Sequence, residues 1–405
     1  MEWLYQVVEA RKAANSLKLA TTIQRNNALK AISEALVLHV DEILEANKTD
    51  MDNAKDLSVA MQKRLELTKE KIIAISNDVS NIIKLDDPIN KILETKNEKG
   101  LKIDKVSVPL GVIGVIYESR PNVSVDIATL CIKSGNVCLL KGGKEAFVTN
   151  SKLVEIMREA ISSFIDRNSI ALIMNNDRKV VSELISLKGK IDLVVPRGSK
   201  QLIDFVTANT KVPCIETGAG VCHIYVDEKA DISMALDIIY NAKVSNPSVC
   251  NAVECVLINE KIALDVLPKI KQLFKDKVVL NGCEKTKKII NCDLIEEFGN
   301  EYNDLILDLK VVTNIDEAIE HIEKYGTHHS DAIISSHDKN IEKFLNLIDS
   351  ACVYVNASTR FTDGSCFGMG AELGISTQKL HARGPMALKE MTTYKYKIHG
   401  SGQIR

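Results

Sequence analysis

Residues 108–123, Val-Pro-Leu-Gly-Val-Ile-Gly-Val-Ile-Tyr-Glu-Ser-Arg-Pro-Asn-Val, mark the point where this chain changes from helices to an α/β pattern. The apolar run 111–117 predicts a strand, and Pro121 behind it predicts the end of that strand and the start of a helix. Residues 101–108 predict a second strand, which Pro109 and Leu110 interrupt. We therefore expect a hairpin, or the entry of a sheet, at this point.

The regions on either side of this stretch differ in periodicity. The first 85 residues place apolar side chains at helical spacing, as at Leu29, Ile32 and Leu36. Downstream, short apolar runs alternate with helix-length segments, which predicts an α/β fold with parallel sheets covered by helices. A second unit is expected to begin near residue 222. Strands are predicted at residues 137–140, 171–174, 192–195, 223–226, 253–258, 331–334 and 352–355.

Length and composition restrict the class of protein. A chain of 405 residues should form roughly two to three domains. With 52 basic and 54 acidic residues and few aromatic ones, its composition does not indicate a nucleic-acid-binding surface. Small-molecule ligands are therefore expected. The amino terminus lacks a signal-peptide pattern, and no apolar run approaches the roughly 18 residues of a membrane span. We expect a cytoplasmic protein without membrane contact.

The ten cysteines contain no Cys-x-x-Cys pair and no histidines at zinc-ligand spacing, so the sequence predicts neither a metal site nor a disulfide framework. Most of them should be small core residues. Cys250 differs, because the turn-forming segment Asn246-Pro247-Ser248-Val249 delivers it to the start of the apolar run 253–258. A cysteine held at a polar, accessible turn is suited to act as a covalent nucleophile.

Three glycine-bearing turns stand where strands should pass into helices: residues 140–144, 195–199 and 216–220. The chain has neither Gly-x-Gly-x-x-Gly nor a Walker sequence, which excludes an ordinary Rossmann fingerprint. Free N–H groups at helix amino termini bind phosphates, and Lys141 and Lys144 would add positive charge. Turn geometry alone also explains glycine and serine there, so each turn taken singly is weak evidence.

Two polar segments follow predicted strands. In the first, Asn122 is either a helix cap or an oxyanion donor pointing into a cleft. In the second, residues 356–364, Arg360 lies among hydroxyl donors, a combination that suits a carboxylate or a phosphate. The residues alone leave these alternatives open.

Four segments together resemble the gamma-glutamyl phosphate reductase family, the glutamate semialdehyde dehydrogenases of proline biosynthesis within the aldehyde dehydrogenase superfamily. The segments have the order and spacing of that family over essentially the whole chain. They are residues 108–123, residues 247–252 (Pro-Ser-Val-Cys-Asn-Ala), residues 358–364 (Ser-Thr-Arg-Phe-Thr-Asp-Gly) and residues 374–385.

The resemblance implies two Rossmann-like parallel-sheet domains and a small β flap that helps the protein to oligomerise as a dimer or tetramer. Residues 1–221 would bind the cofactor, with a flap hairpin at about 93–108. Residues 222–355 would form the catalytic domain with Cys250, and residues 356–405 would supply the substrate loop, a return segment and the end of the flap.

The resemblance also implies roles for individual residues. It places Cys250 at the nucleophile and Asn122 at the oxyanion-hole asparagine. Arg120, Ser358 and Arg360 are the candidates for substrate binding. The cofactor positions are Lys141 at the ribose lysine, Gly198 and Ser199 at the pyrophosphate turn, Glu301 at the nicotinamide ribose, and Lys144, where a cation would favour the 2′-phosphate of NADPH.

Some positions depart from the family pattern. Asn246 and Lys141 stand where that pattern has arginine, and Ser365-Cys366 stands where it has glycine and glutamate. The change at Asn246 removes a cation near the nucleophile, so the Cys250 thiolate must be stabilised by other groups. The change at Cys366 removes a carboxylate near the substrate loop.

The implied activity is NADPH-dependent reduction of L-glutamyl 5-phosphate to L-glutamate 5-semialdehyde through a thioacyl intermediate on Cys250, without a metal. A glutamate 5-kinase is the candidate partner. Glu216 matches the water-activating base of hydrolytic aldehyde dehydrogenases, so a hydrolytic NAD(P)-dependent semialdehyde dehydrogenase is the alternative. A nucleotide-binding scaffold without turnover would require an inert Cys250.

Overall fold

The computed structural model describes residues 3–57, 59–175 and 177–405, apart from the side chains of residues 59, 60 and 178. The chain forms two compact units. The first comprises Met1–Thr217, Met369–Gly374 and Met386–Arg405, and the second comprises Gly218–Gly368 and Ile375–Pro385. None of the described helices combines the length and apolar character that crossing a bilayer requires.

The first unit begins with the predicted helices. Leu29, Ile32 and Leu36 are buried and form the inward face of the second helix, which Thr21 and Gln24 cap reciprocally at its amino terminus. Burial of this apolar stripe explains the helical spacing seen in the sequence. The helices are α1 (Trp3–Leu17), α2 (Thr22–Leu38), α3 (Val40–Asn53), α4 (Val59–Leu65) and α5 (Lys69–Lys84).

A three-stranded antiparallel flap follows these helices. It consists of β1 (Ile92–Glu98), β2 (Leu101–Pro109) and the last strand of the chain, β16 (Thr392–His399), with β2 in the middle. The hairpin of β1 and β2 and the returning strand β16 thus form one sheet, and its role as an oligomerisation flap remains a prediction. The strand after Pro109 does not pair with β2, so a hairpin between residues 101–108 and 111–117 is wrong.

The rest of the first unit is a parallel four-stranded sheet in the order β5-β4-β3-β6. Its central strand β3 is buried at every position, which explains its unbroken apolar sequence. The strands are β3 (Val112–Tyr117), β4 (Val137–Gly142), β5 (Ile170–Leu172) and β6 (Leu193–Arg197), and the helices between and after them are α6 (Asn122–Lys133), α7 (Phe147–Ile161), α8 (Arg178–Leu184) and α9 (Lys200–Asn209).

The second unit contains a seven-stranded parallel sheet in the order β10-β9-β11-β8-β7-β12-β13. Apolar clusters cover both faces, with β8 at the centre of the order. The elements are β7 (Cys222–Val226), α10 (Ile232–Val244), β8 (Val253–Asn259), α11 (Ala263–Phe274), β9 (Val279–Gly282), α12 (Glu284–Lys287), β10 (Asp293–Leu294), β11 (Ile306–Val312), α13 (Ile315–Tyr325), β12 (Ser330–Ile334), α14 (Asp338–Leu347) and β13 (Cys352–Val355).

The predicted alternation of strands and helices is confirmed in both units, and each predicted strand overlaps an observed one. The sequence pattern did not predict β9, β10 and β11 in the second unit. It also missed the short pair β14 (Gly374–Ser376) and β15 (Gly384–Met386), which forms a two-stranded sheet.

Candidate active site

Cys250 lies in the turn between α10 and the central strand β8, as the sequence predicted. Its side chain is half-buried, whereas Cys222, the first residue of the neighbouring strand β7, is fully buried. The Cys222 thiol donates a hydrogen bond to the carbonyl oxygen of Cys250 across 3.2 Å, and burial raises the pKa of Cys222. Cys222 therefore holds the backbone of the turn, while the partly accessible Cys250 is the better candidate for a nucleophile.

Gly220 packs directly against the Cys250 turn. A Cβ on Gly220 would lie 1.6 Å from the carbonyl oxygen of Cys250 and 2.6 Å from its Cα. Because both distances are far inside van der Waals contact with backbone atoms, a side chain at Gly220 would displace the turn. The sequence singled out this glycine only as part of a turn.

The predicted ribose ligand Glu301 reaches the same part of the second unit. Its carboxylate accepts a hydrogen bond from the backbone N–H of Gly220 across 2.9 Å. Glu301 is thus linked through Gly220 to the segment that packs on Cys250. A carboxylate near the nucleophile is what the resemblance predicts for a residue that binds the nicotinamide ribose, although its role remains a prediction.

Arg360 also holds the segment around Cys250. Its Nε donates to the Ser245 hydroxyl across 3.0 Å, and its Nη1 contacts the side-chain oxygen of Asn251. Ser358 accepts the backbone N–H of Arg360 and so caps the short 3-10 turn that carries the arginine. Arg360 therefore has a positioning contact that was not predictable from its place in the sequence.

Asn251, which follows Cys250, ties the turn to the same segment. Its amide nitrogen donates to the carbonyl of Thr362 across 2.8 Å, and its own carbonyl accepts the Thr359 hydroxyl at 2.8 Å. Asn251 is buried, so these bonds are shielded from water. The residues on both sides of the nucleophile are thus held by the segment that the sequence predicts to bind substrate.

In the first unit, Asn122 is the first residue of α6, directly after β3 and the segment that contains Arg120. Pro121 occupies the N-cap position of α6, so the helix-cap interpretation of Asn122 is wrong. The amide nitrogen instead donates to Asp126, one turn along the helix, across 2.9 Å. Burial raises the pKa of Asp126 to about 6. Asp126 orients the Asn122 amide through one of its two N–H groups and leaves the other for a ligand.

The predicted pyrophosphate turn, Gly198-Ser199, precedes α9. Ser199 is the N-cap of this helix, and its N–H donates to the carboxylate of Glu118 across 2.7 Å. The Ser199 hydroxyl lies 3.3 Å from the second oxygen of the same carboxylate. A Cβ on Gly198 would lie 2.4 Å from Glu118. The turn therefore donates hydrogen bonds to a carboxylate of its own unit, and its role in binding pyrophosphate remains a prediction.

Lys141, near the end of β4, and Lys144, just after this strand, differ in exposure. Lys141 is buried, its ammonium donates to the Gly142 carbonyl across 2.8 Å, and burial lowers its pKa. Lys144 is exposed at the start of a 3-10 turn. Glu145 accepts both the N–H and the hydroxyl of Ser119, at 2.7 and 2.8 Å. Lys144 is thus the cation that remains accessible at this turn.

Glu216, the candidate base, lies half-buried in the segment between α9 and β7. Burial and the nearby Glu216 charge together raise the pKa of Cys214 to about 12. The next residue, Thr217, is anchored by its hydroxyl to the carbonyl of Pro196 across 2.8 Å. These contacts position Glu216 in the first unit, and its catalytic role remains a prediction.

Known proteins with similar sequences point to one family. A sequence model of the aldehyde dehydrogenase family matches residues 4–291. The gamma-glutamyl phosphate reductase of Clostridium perfringens is 51% identical to the chain, over 98% of the chain and 98% of that protein. The gamma-glutamyl phosphate reductase of Halothermothrix orenii is 47% identical, over 99% of the chain and 98% of that protein.

Solved structures agree with the sequence relatives. The crystal structure of gamma-glutamyl phosphate reductase from Thermotoga maritima matches with a TM-score of 0.98 at 45% identity, covering 100% of both chains. An acetylating aldehyde dehydrogenase from Geobacillus thermoglucosidasius matches with a TM-score of 0.72 at 18% identity, over 100% of the chain and 97% of that protein. The second likeness shows the fold alone, which is that of the aldehyde dehydrogenases.

Proposed function

The chain belongs to the aldehyde dehydrogenase family and, within it, to the gamma-glutamyl phosphate reductases, and on this premise we propose that it reduces L-glutamyl 5-phosphate to L-glutamate 5-semialdehyde with release of phosphate. This reaction belongs to proline biosynthesis. The observation that carries the proposal is the half-buried Cys250 thiol in a turn braced by Gly220, Cys222 and Arg360. Such a turn holds a nucleophile in one place.

The Cys250 thiolate attacks the acyl phosphate carbon of the substrate. The new C–S bond forms and the C–O bond to phosphate breaks, so phosphate leaves with the electron pair and a thioester remains on Cys250. The Asn122 amide and the Cys250 backbone N–H hold the oxyanion of the tetrahedral intermediate. Water must stay away from the thioester, since hydrolysis would release glutamate instead of the aldehyde.

When bound, NADPH supplies a hydride to the thioester carbon. The same two donors, at Asn122 and at Cys250, hold the resulting oxyanion. Its collapse re-forms the carbonyl and breaks the C–S bond, so the aldehyde leaves and the Cys250 thiolate is restored. Cys250 thus ends the cycle in the state in which it began.

The proposed cofactor residues lie in the turns of the first unit, except for Glu301, which belongs to the second unit. The Ser199 N–H and hydroxyl bind a carboxylate in the structure, and this supports a role for Gly198-Ser199 as the pyrophosphate site. The exposed Lys144 is suited to the 2′-phosphate of NADPH, while Lys141 and Glu301 would hold the two riboses. A clear preference for NADH over NADPH would contradict the assignment of Lys144.

The substrate carboxylate and phosphate are assigned to Arg120 and Arg360, with Ser358 beside the latter. Arginine binds such groups with two parallel hydrogen bonds. Charge reversal at either arginine should raise the Michaelis constant of the substrate more than that of the cofactor. The opposite pattern would place the arginine at the cofactor.

Two protein contacts are also proposed. Because the acyl phosphate is reactive, a glutamate 5-kinase is the proposed supplier of the substrate. The exposed flap is the proposed surface for self-assembly.

The decisive experiment runs the reaction backwards, as NADP⁺ reduction by glutamate semialdehyde with and without inorganic phosphate. In the proposed reaction phosphate must release the thioester, so the wild-type protein should require phosphate and Cys250→Ser should be inactive. Equal rates without phosphate would instead establish the hydrolytic alternative with Glu216 as its base. Glu216→Gln then distinguishes the two, because only hydrolysis should need that carboxylate.

A further inference from the structure

Three side chains with metal-binding atoms meet inside the second unit. They are His223 on β7, Cys255 on β8 and His321 on α13, and all three are buried. One ligand atom from each, the Cys255 sulfur and a ring nitrogen of each histidine, lies within 4.8 Å of the other two. Strand register places His223 directly opposite Cys255, so the sheet itself sets this pair.

The ring of His223 is oriented by a carboxylate. Its Nδ1 lies 3.2 Å from the Oδ1 of Asp331, which also accepts the backbone N–H of His223 at 2.8 Å. Since a carboxylate accepts, Nδ1 carries the hydrogen and Nε2 keeps its lone pair. That Nε2 is buried and has no hydrogen-bond partner. A buried ring nitrogen without a partner is costly, and the carboxylate–histidine arrangement is the one that supports metal ligands.

We propose that His223, Cys255 and His321 bind a thiophilic d10 cation, Zn²⁺ or Cu⁺, through two imidazole nitrogens and one thiolate. Thiolate and imidazole are the ligands that both ions prefer. The Nε2 of His321 already lies 3.8 Å from the Cys255 sulfur, a separation that fits two ligands of one ion. Binding displaces the Cys255 thiol proton to solvent, and neither the ion nor the sulfur changes oxidation state.

The surroundings of the cluster favour a cation. Strand register brings Asp308 of β11 to the other side of Cys255 and Asp331 of β12 to the other side of His223. Two carboxylates thus flank the proposed ion on the same row of the sheet and offset its charge. Phe298 packs its ring against His321, with centroids 4.7 Å apart. The ring packing and the burial of all three ligand residues shield the site from water.

Lys310 is the group that competes with the metal. Its ammonium donates to Nδ1 of His321 across 3.1 Å, which leaves the ring hydrogen on Nε2. A metal on Nε2 requires the other tautomer, so Lys310 must release the ring. Glu317 lies within 3.5 Å of the same ammonium and can retain it. Substitution of Lys310 should therefore strengthen metal binding.

The test is a Co²⁺ titration of the full-length protein in the Cys250→Ser background, stripped of metal and incubated until the spectrum is constant. One equivalent should produce a thiolate-to-cobalt band together with the visible bands of a low-coordinate site, and Zn²⁺ should abolish both. Competition with a Cu⁺ chelator under anaerobic conditions tests the second ion. Binding of one ion with dependence on Cys255 supports the proposal and identifies that ion.

Variants decide whether the signal comes from this cluster. Cys255→Ser and His223→Gln should abolish the band, and Asp331→Asn should weaken binding by roughly ten- to a hundredfold. Lys310→Met should tighten it. Cys138→Ser, which changes a buried cysteine of the first unit, should leave it intact. Thermal melting confirms that each variant folds. A band that survives Cys255→Ser, or no stoichiometric binding of Co²⁺, Zn²⁺ or Cu⁺, would overturn the proposal.

Discussion

The α-carbon of Gly220 lies so close to Cys250 that a Cβ on the glycine would be 1.6 Å from the Cys250 carbonyl oxygen. Gly220→Ala must therefore move the nucleophile turn. A displacement of this kind should lower kcat on the order of a hundredfold, because catalysis depends on placement to better than an ångström. Steady-state kinetics with NADPH and the acyl phosphate, or with the aldehyde and phosphate in reverse, measure the effect.

Gly114→Ala is the matched control for this variant. A Cβ at Gly114, in the middle of β3, would first meet Ile191 at 3.4 Å, which is ordinary contact with a side chain. It should retain most of the activity. If Gly220→Ala kept wild-type kcat, the close backbone contact could not be what positions Cys250.

Asn122 offers a second prediction, based on its bond to Asp126. Asn122→Ala should lose about a hundredfold in kcat, or ~3 kcal/mol of transition-state stabilisation, if its amide holds the oxyanion. Asp126→Leu should lose less, because it removes the orienting partner and keeps the amide. Turnover measured at saturating substrate separates these effects from binding.

The exposed Asn209→Ala, in the same unit, should be unaffected and serves as the control. Near-full turnover of Asn122→Ala would remove Asn122 from the oxyanion site. Equal losses in Asn122→Ala and Asp126→Leu would show that orientation accounts for the entire contribution of the amide.

Glu118 provides a prediction about cofactor binding. Its carboxylate accepts a hydrogen bond from the Ser199 N–H, where we propose that the pyrophosphate binds. The Glu118 carboxylate and the pyrophosphate therefore compete for the same donor. Glu118→Gln removes the charge near the start of α9. Since a charge at a helix terminus is worth about 0.3–1 kcal/mol, the KM for NADPH should fall roughly two- to fivefold.

The exposed Glu159→Gln changes the net charge of the same unit equally and should leave the KM unchanged. Fluorescence titration of NADPH binding checks the affinity directly. A weaker binding of NADPH by Glu118→Gln would mean that the carboxylate supports the cofactor rather than competing with it.

A buried ion pair spans the two ends of the nucleophile turn and gives a stability prediction. Lys243, near the end of α10, donates to Glu254 of β8 across 2.6 Å, with both side chains buried. Burial raises the pKa of Glu254 to about 7. Glu254→Gln leaves the ammonium without its counter-charge and should destabilise the protein by about 3–5 kcal/mol, seen as a lower urea midpoint.

The double variant Lys243→Met with Glu254→Leu is the control, because it removes both charges together. It should recover most of the lost stability, as apolar replacements of buried ion pairs commonly do. If the double variant were less stable than Glu254→Gln, the pair would have to be held by polar contacts beyond the mutual attraction.

Buried parallel strands were the most predictable part of the fold. Strand β13 has the predicted bounds and β8 differs by one residue, because both are short uninterrupted apolar runs. Strand β11 was missed because Asp308 and Lys310 interrupt its apolar residues. Asp308 accepts hydrogen bonds from Tyr302, six residues away, and from Asn281, 27 residues away, and the apolar pattern of the strand reveals neither partner.

The residues of the candidate active site also differ in how well the sequence predicts them. Cys250 could be predicted because a turn and a strand meet at it in sequence. The groups that hold it could not, since Cys222 is 28 residues away and the contact between Arg360 and Asn251 spans 109 residues. Similarly, His223, Cys255 and His321 lack metal-ligand spacing because three separate elements bring them together.

His329, which directly precedes β12, gives a prediction about the pH dependence of stability. Burial lowers its pKa to about 4, and its Nε2 has no hydrogen-bond partner. The unfolded histidine takes up a proton near pH 6.5, well above the folded one, so protonation favours unfolding between pH 6.5 and 4. The free energy of unfolding therefore has its full contribution from His329 above pH 6.5, and it should fall by roughly 3 kcal/mol toward pH 4.

His329→Gln should flatten the pH dependence of the urea midpoint in this interval, whereas His399→Gln, at an exposed ring, should not. An unchanged slope in His329→Gln would show that other groups cause the loss of stability in acid.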